Sequence, residues 1–258
     1  MEFKDKVAVV FGGSAGIGRA YVMALAGQGA TVVAASRTMG PIGDEAVKNT
    51  LAHTVKMADG LPGRVYAQVC DVESEQDIAE TIAHAAANFG RIDVLINNAA
   101  LMTQFDPFEV TGDDWERILR TNVRGPDLAI RQAAPHMMRQ HSGSIINITA
   151  RAATFMPKGD SKYDGGLIYG TSKAALNRLS FYWSEQLKEY GIAVNALSPG
   201  IVATDTAIAY NPNVWDYGAK EATPEVLGPA MLHLAKQTAS GITGQVLYTD
   251  DFGKTWPE

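Results

Sequence analysis

The feature that most constrains this chain is an apolar run, residues 7–11, that ends in a glycine-rich turn and is followed by a helical pattern. The glycines stand at Gly12, Gly16 and Gly18, a G-x-x-x-G-x-G spacing rather than the commoner G-x-G-x-x-G. Glycine lets the backbone turn tightly and approach a ligand closely, and a helix start offers unpaired N–H groups to phosphate. Ser14 can add a hydroxyl donor. The stretch predicts a strand, a turn and a helix N-terminus suited to a pyrophosphate, although alone it also fits a connection that merely needs small residues.

Length and composition predict one large α/β domain over residues 1–258, with enough apolar residues (46%) for a sizeable core. The net charge of -6 does not favour a nucleic-acid partner. The single cysteine, Cys70, excludes an intrachain disulfide, and its place at the end of an apolar run favours a buried small residue over a nucleophile. No apolar run approaches the roughly 18 residues of a membrane span, and the N-terminus lacks an apolar signal region. We therefore expect a cytoplasmic protein without a membrane partner.

Strand and helix patterns alternate along the whole chain, without repeats or linkers. After the first strand, strands are predicted at 31–35, 64–69, 92–96, 144–148, 192–197 and 245–249. Beyond the first helix, helical patterns lie at 44–57, at 73–89, from 113, from 169 and at 224–236. Residues 203–223 are predicted to be irregular, and their aromatic side chains make them a candidate substrate lid.

The end of the second strand carries information about the cofactor. In dinucleotide-binding folds an acid roughly 20 residues past the glycines binds the ribose 2′-hydroxyl. Here no acid stands between Gly29 and Gly43, and the strand ends in Ser36 and Arg37 instead. An arginine beside the adenine ribose suits a 2′-phosphate, so the sequence favours NADP over NAD. The alternative for Arg37 is a solvated surface cation.

Polar residues follow the next strands or interrupt a helix. Asp71 could accept a hydrogen bond from an adenine amino group, or cap the helix that follows it, or do both. Asn97 and Asn98 follow the fourth strand, where their amides can brace strand ends and hold a ribose, unless they form a plain turn. Asn122 lies inside a helical pattern among core-type residues, a poor position for asparagine. A helix bulge or water chain near an active site would explain it, and a satisfied core asparagine is the alternative.

Tyr169 and Lys173 are four residues apart at the start of a helix and therefore share one helix face. With them in place, the chain resembles the short-chain dehydrogenase/reductase family over residues 5–250. The resemblance rests on the ordered set Gly12-x3-Gly16-x-Gly18, Asp71-Val72, Asn97-Asn98-Ala99, Asn122, Tyr169-x3-Lys173, and Pro199-Gly200 followed by Thr204.

The resemblance implies a single-domain Rossmann fold, in which a doubly wound seven-stranded parallel sheet carries helices on both faces. It also implies a homodimer or homotetramer, and reversible hydride transfer between a nicotinamide and a carbonyl or alcohol. Tyr169 would be the general acid/base, Lys173 would lower the phenol pKa from its ordinary ~10 and hold the nicotinamide ribose, and Asn122 would carry a proton-relay water. The family's cofactor positions map onto Gly12, Ser14, Gly16, Ile17, Gly18, Ser36, Arg37, Asp71, Val72, Asn98, Ala99, Tyr169, Lys173, Pro199, Gly200, Val202 and Thr204.

Two departures from the family pattern lie near the cofactor positions. Phe11 stands where a threonine hydroxyl usually braces the glycine turn, which suggests altered packing. Ala100 stands where the family usually has glycine, which adds a methyl group where the backbone normally runs close to the cofactor.

The third departure concerns the reacting centre. Ala150 occupies the position of the serine that usually hydrogen-bonds the substrate carbonyl. Losing one donor to a developing oxyanion typically costs ~10²–10³ in rate. The stretch from Ala150 to Tyr169 is several residues longer than usual, so Thr149, Thr154 or Ser161 could replace the serine, or no residue does.

We therefore predict an NADP(H)-dependent oxidoreductase that acts on a ketone or secondary alcohol. The alternative is a nucleotide-binding sensor or scaffold with impaired catalysis, as Ala150 would allow. Scattered histidines without ligand spacing argue against a metal. Tyr210, Trp215, Tyr217 and Phe155 suggest an apolar or cyclic substrate, or else the packing of a lid.

Overall fold

The computed structural model describes residues 1–40, 48–102, 108–154, 166–210 and 212–257. The strands among them are β1 (Val7–Phe11), β2 (Thr31–Ser36), β3 (Arg64–Val69), β4 (Val94–Asn97), β5 (Gly143–Ile148), β6 (Ile192–Ser198), β7 (Val202–Ala203), β8 (Lys220–Glu221) and β9 (Val246–Tyr248).

Seven of the described strands form one parallel sheet, in the order β3-β2-β1-β4-β5-β6-β9. The chain winds outward from β1 to one edge and then from β4 to the other, so the predicted doubly wound seven-stranded Rossmann sheet is confirmed. This reversal leaves a crevice at the carboxyl ends of β1 and β4, the place where open α/β sheets bind their ligands. The glycine turn follows β1 and the paired asparagines stand at the end of β4, so both lie at this crevice.

Helices cover both faces of the sheet because the side chains of each strand alternate between the two faces. Among the described residues they are α1 (Gly16–Gly27), α2 (Leu51–Met57), α3 (Glu75–Phe89), α4 (Gly112–Leu119), α5 (Gly125–Gln140), α6 (Gly166–Leu187), α7 (Asp205–Tyr210) and α8 (Pro224–Ala235). Ala8 and Val10 of β1 join the apolar core under α1 and α8. Val9 and Phe11 join the core under α3 and α5. The continuous apolar run in β1 is thus explained by burial on both faces.

The second helix is shorter than predicted. A helix over 44–57 was expected, but α2 begins at Leu51, and residues 44–47 lie outside the described part of the chain. Asn49 has a φ of +67°, a left-handed conformation that interrupts a helix. Thr50 then caps α2 by accepting a hydrogen bond from the His53 N–H at 3.2 Å.

Asp71 was one candidate for the N-cap of the third helix, but a different residue caps it. α3 begins at Glu75, and the Ser74 hydroxyl caps it by accepting the Asp77 N–H at 3.2 Å. Asp71 is therefore not the N-cap. Its Oδ1 instead accepts the Glu73 N–H at 3.0 Å and stabilises the turn between β3 and α3.

The prediction that residues 203–223 are irregular is wrong. The segment contains α7, a 3₁₀ turn over Val214–Tyr217, and β8, which pairs in parallel with β7. Short elements of this length carry too few apolar repeats for sequence periodicity to reveal them. In the described residues, no helix is both long enough and apolar enough to cross a bilayer.

Candidate active site

The glycine turn is packed so closely that side chains do not fit. Gly12 has a φ of +81°, and a Cβ there would lie 2.8 Å from the backbone nitrogen of Ala99. A Cβ on Gly18 would lie 2.0 Å from the carbonyl oxygen of Gly12. Ala15, at the start of α1, gives that helix no side-chain cap, so its first N–H groups remain available to an anion. The turn therefore has the form of a phosphate cradle.

The turn is braced by a residue that sequence reasoning did not identify. The Thr54 side chain is fully buried, and its Oγ1 lies 3.2 Å from both the Gly13 and the Ser14 carbonyl oxygens. Its single proton is shared between these two acceptors. Phe11 is buried in the core and has no hydroxyl, so Thr54 supplies from α2 the brace expected of the usual threonine. Nothing in the sequence marks this contact, because the partners are about 40 residues apart.

The end of β2 joins the glycine turn through two hydroxyl groups. Ser14 Oγ donates to Ser36 Oγ at 2.9 Å. Arg37 follows β2 and is exposed to solvent. The structure thus brings Ser14, Ser36 and Arg37 to the same edge of the sheet, as the sequence predicts.

The paired asparagines brace three strand ends, as expected. Asn97 Nδ2 donates to Asn147 Oδ1 at 2.8 Å, which joins β4 to β5. Asn147 Nδ2 in turn donates to Ser180 Oγ on α6 at 2.8 Å. Asn98 Nδ2 donates to the Gly12 carbonyl oxygen at 3.1 Å and so joins β4 to the glycine turn.

Asn122 lies in a π-helical turn, Arg120–Arg124, between α4 and α5, so the predicted helix bulge is confirmed. The alternative of a satisfied core asparagine also holds. Its side chain is fully buried and fully hydrogen-bonded. Oδ1 accepts the Leu101 N–H at 2.8 Å, and Nδ2 donates to the Leu101 carbonyl oxygen at 2.9 Å and to Ser172 Oγ at 3.0 Å. Ser172 Oγ donates to the Tyr169 carbonyl oxygen at 2.7 Å. Asn122 therefore fixes the chain after β4 against the turn of α6 that carries Tyr169.

Tyr169 and Lys173 share one face of α6, as predicted. The Lys173 side chain is only 2% exposed, and its Nζ donates to the Ile148 carbonyl oxygen, at the end of β5, at 2.7 Å. The same Nζ lies 5.6 Å from the centroid of the Tyr169 ring. The ammonium thus lies at the junction of α6 and β5, and in the part of the chain that the structure describes one of its three donors is engaged.

Burial acts on both of these groups and opposes the charged form of each. It lowers the pKa of Lys173 to about 7 and raises the pKa of Tyr169 to about 12. The expectation that Lys173 lowers the pKa of Tyr169 is therefore wrong for the chain by itself. Desolvation of the phenol is the cause of the rise, and near neutral pH Lys173 is itself only partly protonated.

The structure describes Ala150, the predicted position of the usual serine, and two of the three hydroxyl side chains that could replace it. Ala150 continues β5 in an extended conformation, with φ -146° and ψ 156°. Thr149 is 2% exposed, and its Oγ1 points to the Lys173 carbonyl oxygen at 3.5 Å. Thr154 is exposed, and its Oγ1 shares a hydrogen bond of 2.8 Å with the Tyr248 hydroxyl. Ser161 lies outside the described residues. Both described hydroxyls are thus already engaged.

The segment after β6 closes the other side of the crevice. Gly200 has a φ of +82°, a conformation that favours glycine. A Cβ on Gly16 would lie 2.8 Å from Thr204 Cγ2, so this segment packs directly on the glycine turn. The Thr204 hydroxyl accepts the Ala207 N–H at 3.1 Å at the start of α7.

Other sequence-based candidates are placed as follows. Cys70 is buried, and burial raises the pKa of its thiol to about 11, as fits a core residue rather than a nucleophile.

Of the aromatic residues that suggested an apolar substrate, Trp215 is half-exposed. Phe155 and the side chains of Tyr210 and Tyr217 lie outside what the structure describes. No cluster of metal-ligating side chains occurs in the described ranges.

Comparison with known proteins assigns the family. The short chain dehydrogenase family matches residues 6–215, which is most of the chain. The protein belongs to this family. Its members use a nicotinamide cofactor, and the chain is accordingly an oxidoreductase that acts on CH–OH or C=O groups of small molecules.

Two named relatives in this family span nearly the whole chain. A 3-oxoacyl-(acyl-carrier-protein) reductase of Thermotoga maritima is 30% identical, over 97% of this chain and 98% of its own. A fluoren-9-ol dehydrogenase of a Terrabacter species is 32% identical, over 97% of this chain and 72% of its own.

A solved structure shares the fold of this short-chain dehydrogenase. It is a candidate NAD(P)-dependent gluconate 5-dehydrogenase of Beutenbergia cavernae with NADP bound at low occupancy. That protein is 27% identical, aligns over 95% of each chain and has a TM-score of 0.81. The relatives named as reductases or dehydrogenases do not favour the alternative of a sensor or scaffold without catalysis.

The Thr54 brace predicts an effect on cofactor binding. Thr54→Val keeps the shape of the side chain and removes the hydroxyl, so we expect the nicotinamide cofactor to bind about three- to tenfold more weakly, the worth of one hydrogen bond. Thr54→Ser should restore most of this affinity. Fluorescence titration with NADPH measures it. Thr81→Val is the matched control, because Thr81 is also fully buried and donates to a backbone carbonyl, that of Asp77, away from the turn. Equal losses in the two valine variants would contradict the assignment.

The buried lysine predicts that stability depends on pH. The pKa of Lys173 is about 7 in the folded protein and about 10.4 in an unfolded chain. Between these values the unfolded chain binds more protons, so the free energy of unfolding rises with pH. The rise due to Lys173 is about 2 kcal/mol from pH 7 to pH 9, and it should vanish in Lys173→Met. Urea unfolding at pH 7, 8 and 9 tests this. The same pH dependence in both proteins would refute a lowered pKa.

Proposed function

We propose that this short-chain dehydrogenase is an NADP(H)-dependent oxidoreductase for a ketone and its secondary alcohol, poised for carbonyl reduction. Tyr169 acts as the general acid, and Lys173 and Asn122 complete the catalytic group. Residues 1–258 form one cofactor-binding and catalytic domain, in which residues 203–223 serve as a lid over the substrate.

The observation that carries this proposal is the buried ammonium of Lys173 beside the Tyr169 ring. Burying the charge of a lysine that is only 2% exposed is unfavourable unless a partner compensates for it, so such lysines are often functional. Here Lys173 donates to one backbone carbonyl and faces one phenol. Perturbed titratable groups in a crevice of the sheet are typical of a reacting centre.

The residues around the crevice fit a nicotinamide dinucleotide. The glycine turn packs its own backbone tightly at Gly12 and Gly18, and the start of α1 that follows has no side-chain cap, so its N–H groups suit a phosphate. Lys173 Nζ has donors in addition to the one that binds Ile148, and these suit ribose hydroxyls. When bound, the cofactor supplies or takes up the hydride. The residues proposed to hold it are Gly12, Ser14, Gly16, Ile17, Gly18, Ser36, Arg37, Asp71, Val72, Asn98, Ala99, Tyr169, Lys173, Pro199, Gly200, Val202 and Thr204.

The protonated phenol is the form that carbonyl reduction needs. With a pKa of about 12, Tyr169 keeps its proton at neutral pH and can donate it to the carbonyl oxygen as that oxygen becomes an alkoxide. The phenolate that remains faces the Lys173 ammonium, whose attraction stabilises it. Asn122 contributes by holding the first turn of α6 in place through Ser172.

Ala150 leaves the substrate oxygen without the usual serine donor. Of the described candidates, Thr149 Oγ1 points to the Lys173 carbonyl oxygen and Thr154 Oγ1 bonds the Tyr248 hydroxyl, so each already has a partner. The missing serine makes substrate binding distant from the reacting carbonyl more important than it is where the serine is present.

Preference for NADP rests on Arg37. Arg37 is exposed and directly follows Ser36, whose hydroxyl bonds Ser14, and a charged fork of donors near that position suits a 2′-phosphate.

We also propose that the chain forms a homodimer or homotetramer through α6. Leu167, Phe181 and Tyr182 on this helix are each about half-exposed, which is unusual for large apolar side chains on one element.

The proposed mechanism predicts that Tyr169→Phe lowers kcat for ketone reduction at least about 100-fold, since the variant removes the proton donor. NADPH binding should change little. A panel of cyclic, aromatic and aliphatic ketones, followed by NADPH consumption, measures the rate. Tyr66→Phe is the control, because Tyr66 packs on Phe89 away from the crevice. Turnover retained in Tyr169→Phe would overturn the mechanism.

The proposed cofactor preference predicts that Arg37→Ala weakens NADPH binding roughly 10–100-fold, the worth of a charge-assisted hydrogen bond. NADH, which lacks the 2′-phosphate, should bind almost as before. Arg64→Ala, at the exposed start of β3, is the matched control and should affect neither. Equal losses for the two dinucleotides in Arg37→Ala would refute the role of Arg37.

A further inference from the structure

Three cationic side chains converge on Asp250, just beyond β9, and with it form what we call the Asp250 cluster. Arg151 Nη2 donates to Asp250 Oδ2 at 2.8 Å, and Lys220 Nζ pairs with Asp250 Oδ1. Lys254 Nζ donates to the Asp250 backbone oxygen at 3.0 Å. Although burial opposes it, the hydrogen bonds from Lys220 and Arg151 hold the pKa of Asp250 below its usual range, so the carboxylate is charged at neutral pH.

The cluster adjoins the candidate active site on two sides. A Cβ on Gly200 would lie 3.1 Å from Asp250 Oδ2, so the carboxylate touches the segment after β6. Arg151 directly follows Ala150, and the short helix that it begins packs on α6. There a Cβ on Gly170, the residue after Tyr169, would lie 2.9 Å from the Ala152 carbonyl oxygen. Lys220, from β8, places the cluster at the base of the lid segment.

The charges of the cluster do not balance. Arg151, Lys220 and Lys254 carry three positive charges. Within the described ranges the Asp250 carboxylate is the ion-pair partner of Arg151 and Lys220, whereas Lys254 binds only the Asp250 backbone oxygen. The chain as a whole carries a net charge of -6, so a positive site beside the crevice runs against its overall charge. Partly exposed ion pairs contribute little to stability, so the need to stabilise the fold does not account for this arrangement.

The ring of Tyr248 also fixes the orientation of the Arg151 guanidinium before any substrate binds. The guanidinium lies over the Tyr248 ring at 5.0 Å from the centroid, and the Tyr248 hydroxyl is held by Thr154. Arg151 is 45% exposed, and an arginine has five N–H donors. The donors that do not bind Asp250 therefore include a fork that suits the two oxygens of a carboxylate or phosphate.

We infer that the Asp250 cluster binds an anionic group, a carboxylate or phosphate, on the carbonyl substrate, with Arg151 as its main contact. This inference rests on the proposed function and narrows it to keto acids or phosphorylated ketones. Asp250 holds the cations in place when no substrate is bound. An anchor of this kind supplies the positioning that Ala150 cannot provide.

The test compares each acid with a neutral partner. The first pair is 4-oxocyclohexanecarboxylate and its ethyl ester, and the second is dihydroxyacetone phosphate and dihydroxyacetone. In the wild type we expect kcat/KM to favour the anionic member of at least one pair tenfold or more, the worth of a charge-assisted contact. The preferred pair then distinguishes a carboxylate from a phosphate.

Variants assign the preference to the cluster. Arg151→Met should bring the ratio of anionic to neutral kcat/KM close to one, and Arg151→Lys should retain part of it. Lys236→Met is the matched control, because Lys236 is 42% exposed and paired with Glu2 away from the crevice. It should leave the ratio unchanged. A ratio near one in the wild type, or a preference that survives in Arg151→Met, would overturn the inference.

Failure of the proposed function can be distinguished from failure of the anion site by a binding measurement. If NADPH binds and no ketone is reduced, the proposed function fails for this panel, and thermal melting of the NADPH complex then decides the inference. An increase in Tm with 4-oxocyclohexanecarboxylate or dihydroxyacetone phosphate that is lost in Arg151→Met would support an anion site. No increase in the wild type would overturn it.

Discussion

The bond between the Lys173 ammonium and the Ile148 carbonyl oxygen is the interaction on which the site depends. It joins α6 to the end of β5 in the interior of the protein, where a charge is tolerated only with a partner. Because α6 also carries Tyr169, this bond sets where the phenol stands relative to the sheet. The desolvation that makes the bond necessary also raises the pKa of the Tyr169 phenol, so burial sets both the position of this phenol and its protonation.

The centre of the sheet could be predicted from the sequence because its strands are buried on both faces. Each central strand is then a nearly continuous apolar run, and β1 begins and ends where the sequence predicts. Errors arose where a single hydrogen bond decides a boundary. Ile92 was expected in the fourth strand, but its N–H donates to Gln140 Oε1, and β4 begins only at Val94. α2 is short because Asn49 adopts a left-handed conformation, which local propensity does not forecast.

The chemistry of the site was foreseeable where a residue type is out of place locally. A mid-helix asparagine indicated the π-turn, and two asparagines after β4 indicated braces between strand ends. Thr54 gave no such signal, since a threonine in a weak helix is ordinary, and only the tertiary fold brings its hydroxyl to the glycine turn. The pKa of Tyr169 was misjudged for a related reason. Spacing along a helix reveals a neighbouring charge, whereas the depth of burial that outweighs it belongs to the packed structure.

The glycine turn is a short stretch of the sequence, but the residues that hold it in place come from distant parts of the chain. The Gly12 N–H donates to Ala35 on β2, its carbonyl oxygen accepts from Asn98 beyond β4, and Thr54 supports the next two residues from α2. The phosphate cradle is therefore complete only after segments nearly 90 residues apart have come together. A dinucleotide that binds the cradle consequently selects the fully assembled sheet, and by mass action it stabilises the whole fold rather than its N-terminal unit. Dinucleotide affinity in this chain is in that sense a measure of how completely the protein has folded.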